Sequence, residues 1–280
     1  MADKLAVLST VRSTYTFVWR QRQRLFTLAF PAVVIFAIGY ALLISALPES
    51  FAALLRGDSV RPPPDDFDSM TILISGGIAL SLALLGAMNL FAVACHRAFL
   101  IDEREANLRL AIAWKRHHTS YLWLTIGVGF VVGIVQIIVM ALAGVAMLAV
   151  GAKAPPSLLF IFVNASLVVS YWVFARLLFL FPATAIEHPA TLCEAPRLSR
   201  GNKWRLLAVL LMAEFPLWII HLIWQPINVL GMMAGLTGSL LSGLVDQLLI
   251  FAGIAVFITS LSVVYHALGS TPAEPAATDG

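Results

Sequence analysis

The sequence predicts an all-α, polytopic membrane protein with six transmembrane helices. Three observations predict it. Charged residues make up 12% and hydrophobic residues 60% of the 280 positions, where a soluble domain carries about 25% charged residues. Mean hydropathy is +0.90. Six runs reach the roughly 20 apolar residues that a helix needs to cross hydrocarbon. The net charge of +3 is too small to point to nucleic acid.

The elements follow in order. Residues 5–20 mix apolar and charged side chains and fit an amphipathic helix lying on the inner leaflet. The spans fall at about 25–47, 71–95, 121–151, 157–181, 206–230 and 239–267. The first is too long for the apolar core of a secretory signal, and no A-x-A site closes it, so it reads as a retained helix. Pro31 and Pro216 fall inside spans and are expected to kink them rather than end them. Residues 48–70 carry Pro62-Pro63-Pro64 with Asp58, Asp65, Asp66 and Asp68, the mark of an extended, solvated outside loop. Residues 1–268 make a single transmembrane domain, and the small, polar tail 269–280 is expected to be disordered.

Lys and Arg set the orientation. With the N-terminus in the cytoplasm, 15 of the 18 basic residues lie inside. They cluster before the first span, in the second connection and around the fourth. Arg56, Arg61 and Lys153 alone lie outside. Both termini are then cytoplasmic.

The three cytoplasmic connections share a plan: a mixed apolar and charged stretch, a Trp beside a basic residue, then two spans. The pairs are Trp19-Arg20, Trp114-Lys115 and Trp204-Arg205, 95 and 90 residues apart. Trp and snorkelling Lys or Arg favour the headgroup plane. The stretches 5–18, 99–112 and 189–202 fit interfacial helices, and the chain reads as three parallel units, each an interfacial helix plus a hairpin.

Charge inside a span is costly and marks candidate sites. Arg176, Glu214 and Asp246 carry it, with His221, Asn89, Gln136 and Asn164 as polar company. At 1.5 Å per residue, Arg176 and Glu214 lie about 8 and 12 Å from the inner ends of their spans, so they are within pairing range, with Asn89 at a similar level. His221, seven residues after Glu214, falls on nearly the same helix face and lies in the outer half, as do Asp246, Gln136 and Asn164. No cation opposes Asp246. The set suits either a hydrated pathway with a proton or substrate site, or interhelical bonds that only fix the bundle. Gly129-x-x-x-Gly133, with Gly76, Gly77, Ala79, Ala83 and Gly86, can let helices approach closely.

No P-loop, GxGxxG, HExxH or GxSxG occurs. Cys95 and Cys193 form no CxxC or zinc spacing, so neither metal nor cofactor is expected. His117-His118 reads as a solvated interfacial pair, and Glu103 and Glu105 beside Arg104 and Arg109 as a charged helix face.

Two stretches carry a resemblance. One is Val93-Ala94-Cys95-His96-Arg97-Ala98-Phe99-Leu100-Ile101-Asp102-Glu103. The other runs from Arg176 through Leu180-Phe181-Pro182-Ala183 and Glu187 to Glu194-Ala195-Pro196-Arg197-Leu198-Ser199-Arg200-Gly201-Asn202-Lys203-Trp204-Arg205-Leu206-Leu207. They resemble the bacterial membrane families described as YciC-like or as the glycerophosphoryl diester phosphodiesterase membrane domain. Pro196 departs from the family's Ala-x-x-Leu pattern. The resemblance implies a six-helix bacterial inner-membrane protein without the soluble phosphodiesterase domain that some members carry. Independently, Arg97, Arg197, Arg200, Lys203 and Arg205 fall at the inner headgroup plane, and Gly201-Asn202 suits a helix end.

The leading functional expectation is a non-enzymatic inner-membrane protein that binds or moves a lipid or small amphiphile, its basic belt facing anionic headgroups. The alternative is a scaffold or assembly factor with a protein partner.

Overall fold

The computed structural model describes residues 5–45, 67–109, 113–150, 177–187 and 201–269. The elements among these residues are all helices, with no strand among them. α1 spans Val7–Arg20, α2 Arg22–Ser45, α3 Phe67–Leu100, α4 Arg116–Val150, α5 Leu180–Ala185, α6 Lys203–Met233 and α7 Gly235–Gly269. Five of them, α2, α3, α4, α6 and α7, are long and apolar enough to cross a membrane. Most of the expected span at 157–181 lies outside the described residues, as do nearly all of the 48–70 loop and of the tail.

The helices outrun the apolar segments that foretell them. α3, α4 and α7 have 34, 35 and 35 residues, or about 50 Å at 1.5 Å per residue. A hydrocarbon core is about 30 Å thick. Hydropathy marks where charge begins, whereas backbone hydrogen bonding continues past that point. Pro31 lies within α2, and Pro216 and Pro226 within α6, without ending either helix.

α7 is the hub. It packs on α6, α2, α3, α1 and α5. One buried cluster joins it to α2, α3 and α4 through Phe251, Ala255 and Ile258; a second joins it to α6 and Leu5 through Leu261 and Val264. The outward faces are apolar instead of polar. Phe130, Ile137 and Leu142 on α4 and Leu222, Ile223 and Leu230 on α6 are all exposed. Exposed apolar surface on this scale suits contact with lipid rather than water.

α1 is a helix as expected, but it is docked on the bundle. Val7 and Val11 pack against the second cluster and Val18 against the first. Thr10 and Thr14 face inward and are buried, each hydroxyl donating to the carbonyl four residues back at 2.8 and 3.0 Å. That local bond removes the cost of burying a hydroxyl. The backbone of Leu5 is clasped from both sides: its N–H donates to Asn202 Oδ1 at 3.1 Å, and its carbonyl accepts from the Arg205 guanidinium at 3.1 Å.

Over residues 101–107 the second connection departs from the helix expected at 99–112; Leu108 and Arg109 are helical again, and residues 110–112 lie outside the described residues. α3 runs on to Leu100, and the next described element is a single 3-10 turn at Glu103–Glu105. Asp102 starts this turn by accepting the Arg104 N–H at 2.8 Å. An extended Asp at that position favours a capped turn over a continuing helix. In the third stretch, residues 189–200 lie outside the described residues. Gly201 has φ +84°, the left-handed backbone foreseen for a helix boundary.

Candidate functional site

The starts of α2, α4 and α6 and the ends of α3 and α7 gather at one end of the molecule. Arg24 reaches Glu103 at 3.6 Å. Arg97, near the end of α3, donates to Glu105 Oε2 and to the Ala185 carbonyl, both at 3.1 Å, and stands 3.6 Å from Glu187. Trp19, Trp114 and Trp204 are exposed at this end, beside exposed Arg20, Lys115 and Lys203. Arg97 and Arg205 are half-buried and make protein bonds, so the belt divides into exposed members and members that brace the fold. Arg197 and Arg200 lie outside the described residues.

His117 and His118 correct the sequence reading. Rather than a solvated pair, they are 5% and 2% exposed. His117 Nδ1 bonds Glu187 Oε1 at 2.8 Å. Glu187 has φ +60°, a left-handed backbone that a non-glycine residue adopts at a cost; His117 and Arg97 hold it there. His118 Nδ1 accepts the Lys115 N–H at 3.1 Å, the reciprocal half of a capping box at the start of α4. The adjacency of the two histidines hides these roles, because their partners are 70 residues away for one and three for the other.

Asn89 connects this polar end to an apolar groove. It is 3% exposed, and its Nδ2 donates to the His118 carbonyl at 3.1 Å. That bond fixes the carboxamide, and its Oδ1 has no hydrogen-bond partner. The groove is a pocket of about 760 Å³ between α3, α4 and α7, with Phe181 of α5 at one end. Met88, Val128, Val132 and Phe257 line it; Asn89, Thr125 and Gln136 are its polar members. Gly129 and Gly133 form one wall, and a Cβ on either meets nothing within 4 Å. The expected small-residue approach of another helix is thus not made there by any described element. The pair instead widens the groove.

Of the intramembrane polar residues, Glu214, His221 and Asp246 line the α6–α7 face. The Glu214 carboxylate lies over Gly253 of α7, 3.8 Å from where a Cβ would stand. Its Oε1 is buried and has no hydrogen-bond partner. Tyr15 of α1 approaches the same carboxylate, its hydroxyl donating to the neighbouring Ala213 carbonyl at 2.6 Å. Burial, and then the Glu214 charge, push the Tyr15 phenol above its ordinary range. His221 lies within electrostatic reach of Asp246. Gln136 belongs to the groove and not to this face. Arg176 and Asn164 lie outside the described residues, which leaves the Arg176–Glu214 pair there too. Among the described residues no cluster of His, Cys, Asp and Glu could hold a metal ion.

His96 is a residue the sequence reading missed. It is fully buried on α3, with Nδ1 2.7 Å from Ser262 Oγ of α7, and its Nε2 has no partner. Its seven-residue spacing from Asn89, which puts both on one face of α3, was the available signal. No family model, curated protein or solved structure matches this chain.

Proposed function

We propose that this is a multi-pass protein of a bacterial inner membrane, N-terminus inside, that binds or moves a lipid or small amphiphile without catalysing a reaction on it. In this reading six spans form three hairpins entered from the cytoplasm, as in the YciC-like families that the sequence resembles. The groove between α3, α4 and α7 is the observation that carries the binding role. Its walls are apolar, its length runs along membrane-crossing helices, and one fixed, unpaired carboxamide oxygen stands at Asn89. A pocket with an apolar lining and few polar groups is the usual form of a small-molecule site. The exposed Trp and basic residues near its polar end suit headgroups of anionic lipid.

Native mass spectrometry of the detergent-purified protein tests the reading. The expected result is a retained lipid or amphiphile whose occupancy falls in Gly133→Leu and Gly129→Leu, which put side chains into the open groove. Equal retention by both variants would remove the groove as the site. The broad exposed apolar face of α4, with Trp123, Phe130 and Ile137, favours a second reading as a scaffold for another membrane protein. A stoichiometric protein partner in the same spectra, with no small ligand, supports that reading.

A further inference from the structure

α6 and α7 form an antiparallel hairpin whose register can be read residue by residue. At the turn, a Cβ on Gly238 would collide with the Gly231 carbonyl oxygen, so the two backbones touch. Next, Ser242 Oγ donates to the Asn228 carbonyl at 3.5 Å. Then His221 and Asp246 come within electrostatic reach, and last the Glu214 carboxylate lies over Gly253. The polar positions on α6, Glu214, His221 and Asn228, are seven residues apart and share one face. On α7, Ser239, Asp246 and Ser260 fall on the same period, with Gly253 at the one position of that repeat that has no side chain. The result is a single polar seam along two membrane-crossing helices, about 21 Å long between the levels of Glu214 and Asn228.

The seam leaves buried polar groups unpaired, among them one donor, Trp224 Nε1, between His221 and Asn228 on α6. Glu214 Oε1, Asp246 Oδ1 and Asn228 Oδ1 are buried oxygens with no hydrogen-bond partner, and Asn228 is only 7% exposed. Gln247 Oε1, beside Asp246, is a fourth. Buried acceptors in an apolar medium require donors. A metal ion would need these oxygens to converge on one point. Instead they are strung out along the helix axis, with the two carboxyl levels about 10 Å apart. That spacing fits a file of water bearing protons better than a coordinated ion.

We propose that the α6–α7 seam is a proton path, in which a proton passes between the carboxyls of Asp246 and Glu214 along a short file of water. Each transfer takes a proton from one carboxylic acid and delivers it to the other carboxylate, with water as the only co-reactant. His221 of α6 and Tyr40 of α2 face Asp246. Tyr15 of α1 faces Glu214 and stands between it and the basic end of the molecule. Among the described residues α3 and α5 present no ionisable group to either carboxyl. Gln225 on the exposed side of α6 bonds His221 at 2.7 Å and marks the other approach.

The test is proton flux through the purified full chain in phosphatidylcholine liposomes that enclose a pH-sensitive dye. Wild type is expected to dissipate an imposed pH gradient faster than protein-free liposomes. Glu214→Gln and Asp246→Asn should each slow it to the protein-free rate, as for loss of an intramembrane relay group. Dicyclohexylcarbodiimide, which attacks protonated carboxyls in apolar surroundings, should modify Glu214 or Asp246 of the wild type and stop the flux. This arm needs no variant, so it decides the matter if a substituted chain fails to fold. Wild-type flux no faster than protein-free liposomes overturns the proposal. So does carbodiimide adduct confined to Glu103, Glu105 and Glu187 with flux unchanged.

Discussion

Tyr15 ties α1 to the spanning helices by one short bond, from its hydroxyl to the Ala213 carbonyl at 2.6 Å. Tyr15→Phe is expected to cost about 1 kcal/mol, the net worth of such a bond, seen as a lower midpoint of thermal unfolding in detergent. The raised phenol also sets a sign. The folded state favours the protonated form, so its contribution is complete below the ordinary tyrosine value of 10.0 and is lost as pH rises through the raised one. Wild type should therefore lose more stability than Tyr15→Phe between neutral and strongly alkaline pH. A difference of the opposite sign would contradict the assigned environment. At this scale the sequence was partly legible. The shared face of Glu214 and His221 follows from a spacing of seven, but the meeting of Tyr15 with Glu214 requires α1 to cross α6, and no local pattern encodes that crossing. The roles of His117 and His118 were hidden for the same reason: burial at the foot of α4 depends on Asn89 and Glu187, each far away in sequence.

Helix termini and close approaches decide the behaviour of the elements. Gly235 opens α7 with φ +80° directly after the last residue of α6 and its cap. Gly235→Ala should destabilise the hairpin by about 1–2 kcal/mol, the cost of a Cβ in left-handed backbone. Gly238→Ala meets the Gly231 carbonyl and the Ala234 side chain, so it must push the helices apart. Overpacking of this kind costs about 1–3 kcal/mol, and the expected readout is earlier thermal unfolding together with faster trypsin cleavage at Lys203 or Arg205. The existence and order of the five described spans could be read from hydropathy, because a membrane allows few backbones other than a hydrogen-bonded helix. Their lengths could not, since the helices continue beyond the apolar core. Within the stretch 99–112, residues 101–107 do not continue as α-helix because Asp102 caps a turn and Arg97 is committed to Glu105 and Glu187. Amphipathic composition carries no information about such competing bonds.

On the scale of the whole molecule, the polar side chains among the described residues collect at one end and apolar ones face outward along the flanks. If the basic end is cytoplasmic, single cysteines at Trp204 and Leu236 should react with a membrane-impermeant maleimide from opposite sides in oriented vesicles; labelling of both from one side would refute the topology. Both positions are exposed and lie at opposite ends of the α6–α7 hairpin. The clasp on Leu5 has a further consequence for biosynthesis. Its two partners, Asn202 and Arg205, follow it by 197 and 200 residues. A ribosome adding 5–20 residues per second needs on the order of 10–40 s to make that length. For that interval α1 lacks the part of its docking surface that α6 and α7 supply, which does not yet exist. It must wait at the bilayer surface, where its exposed Leu8 and Trp19 can hold it, until the last hairpin is inserted. Among the described helices the one that comes first in the chain is then the last to find its place, and its docking reports that the α6–α7 hairpin is in.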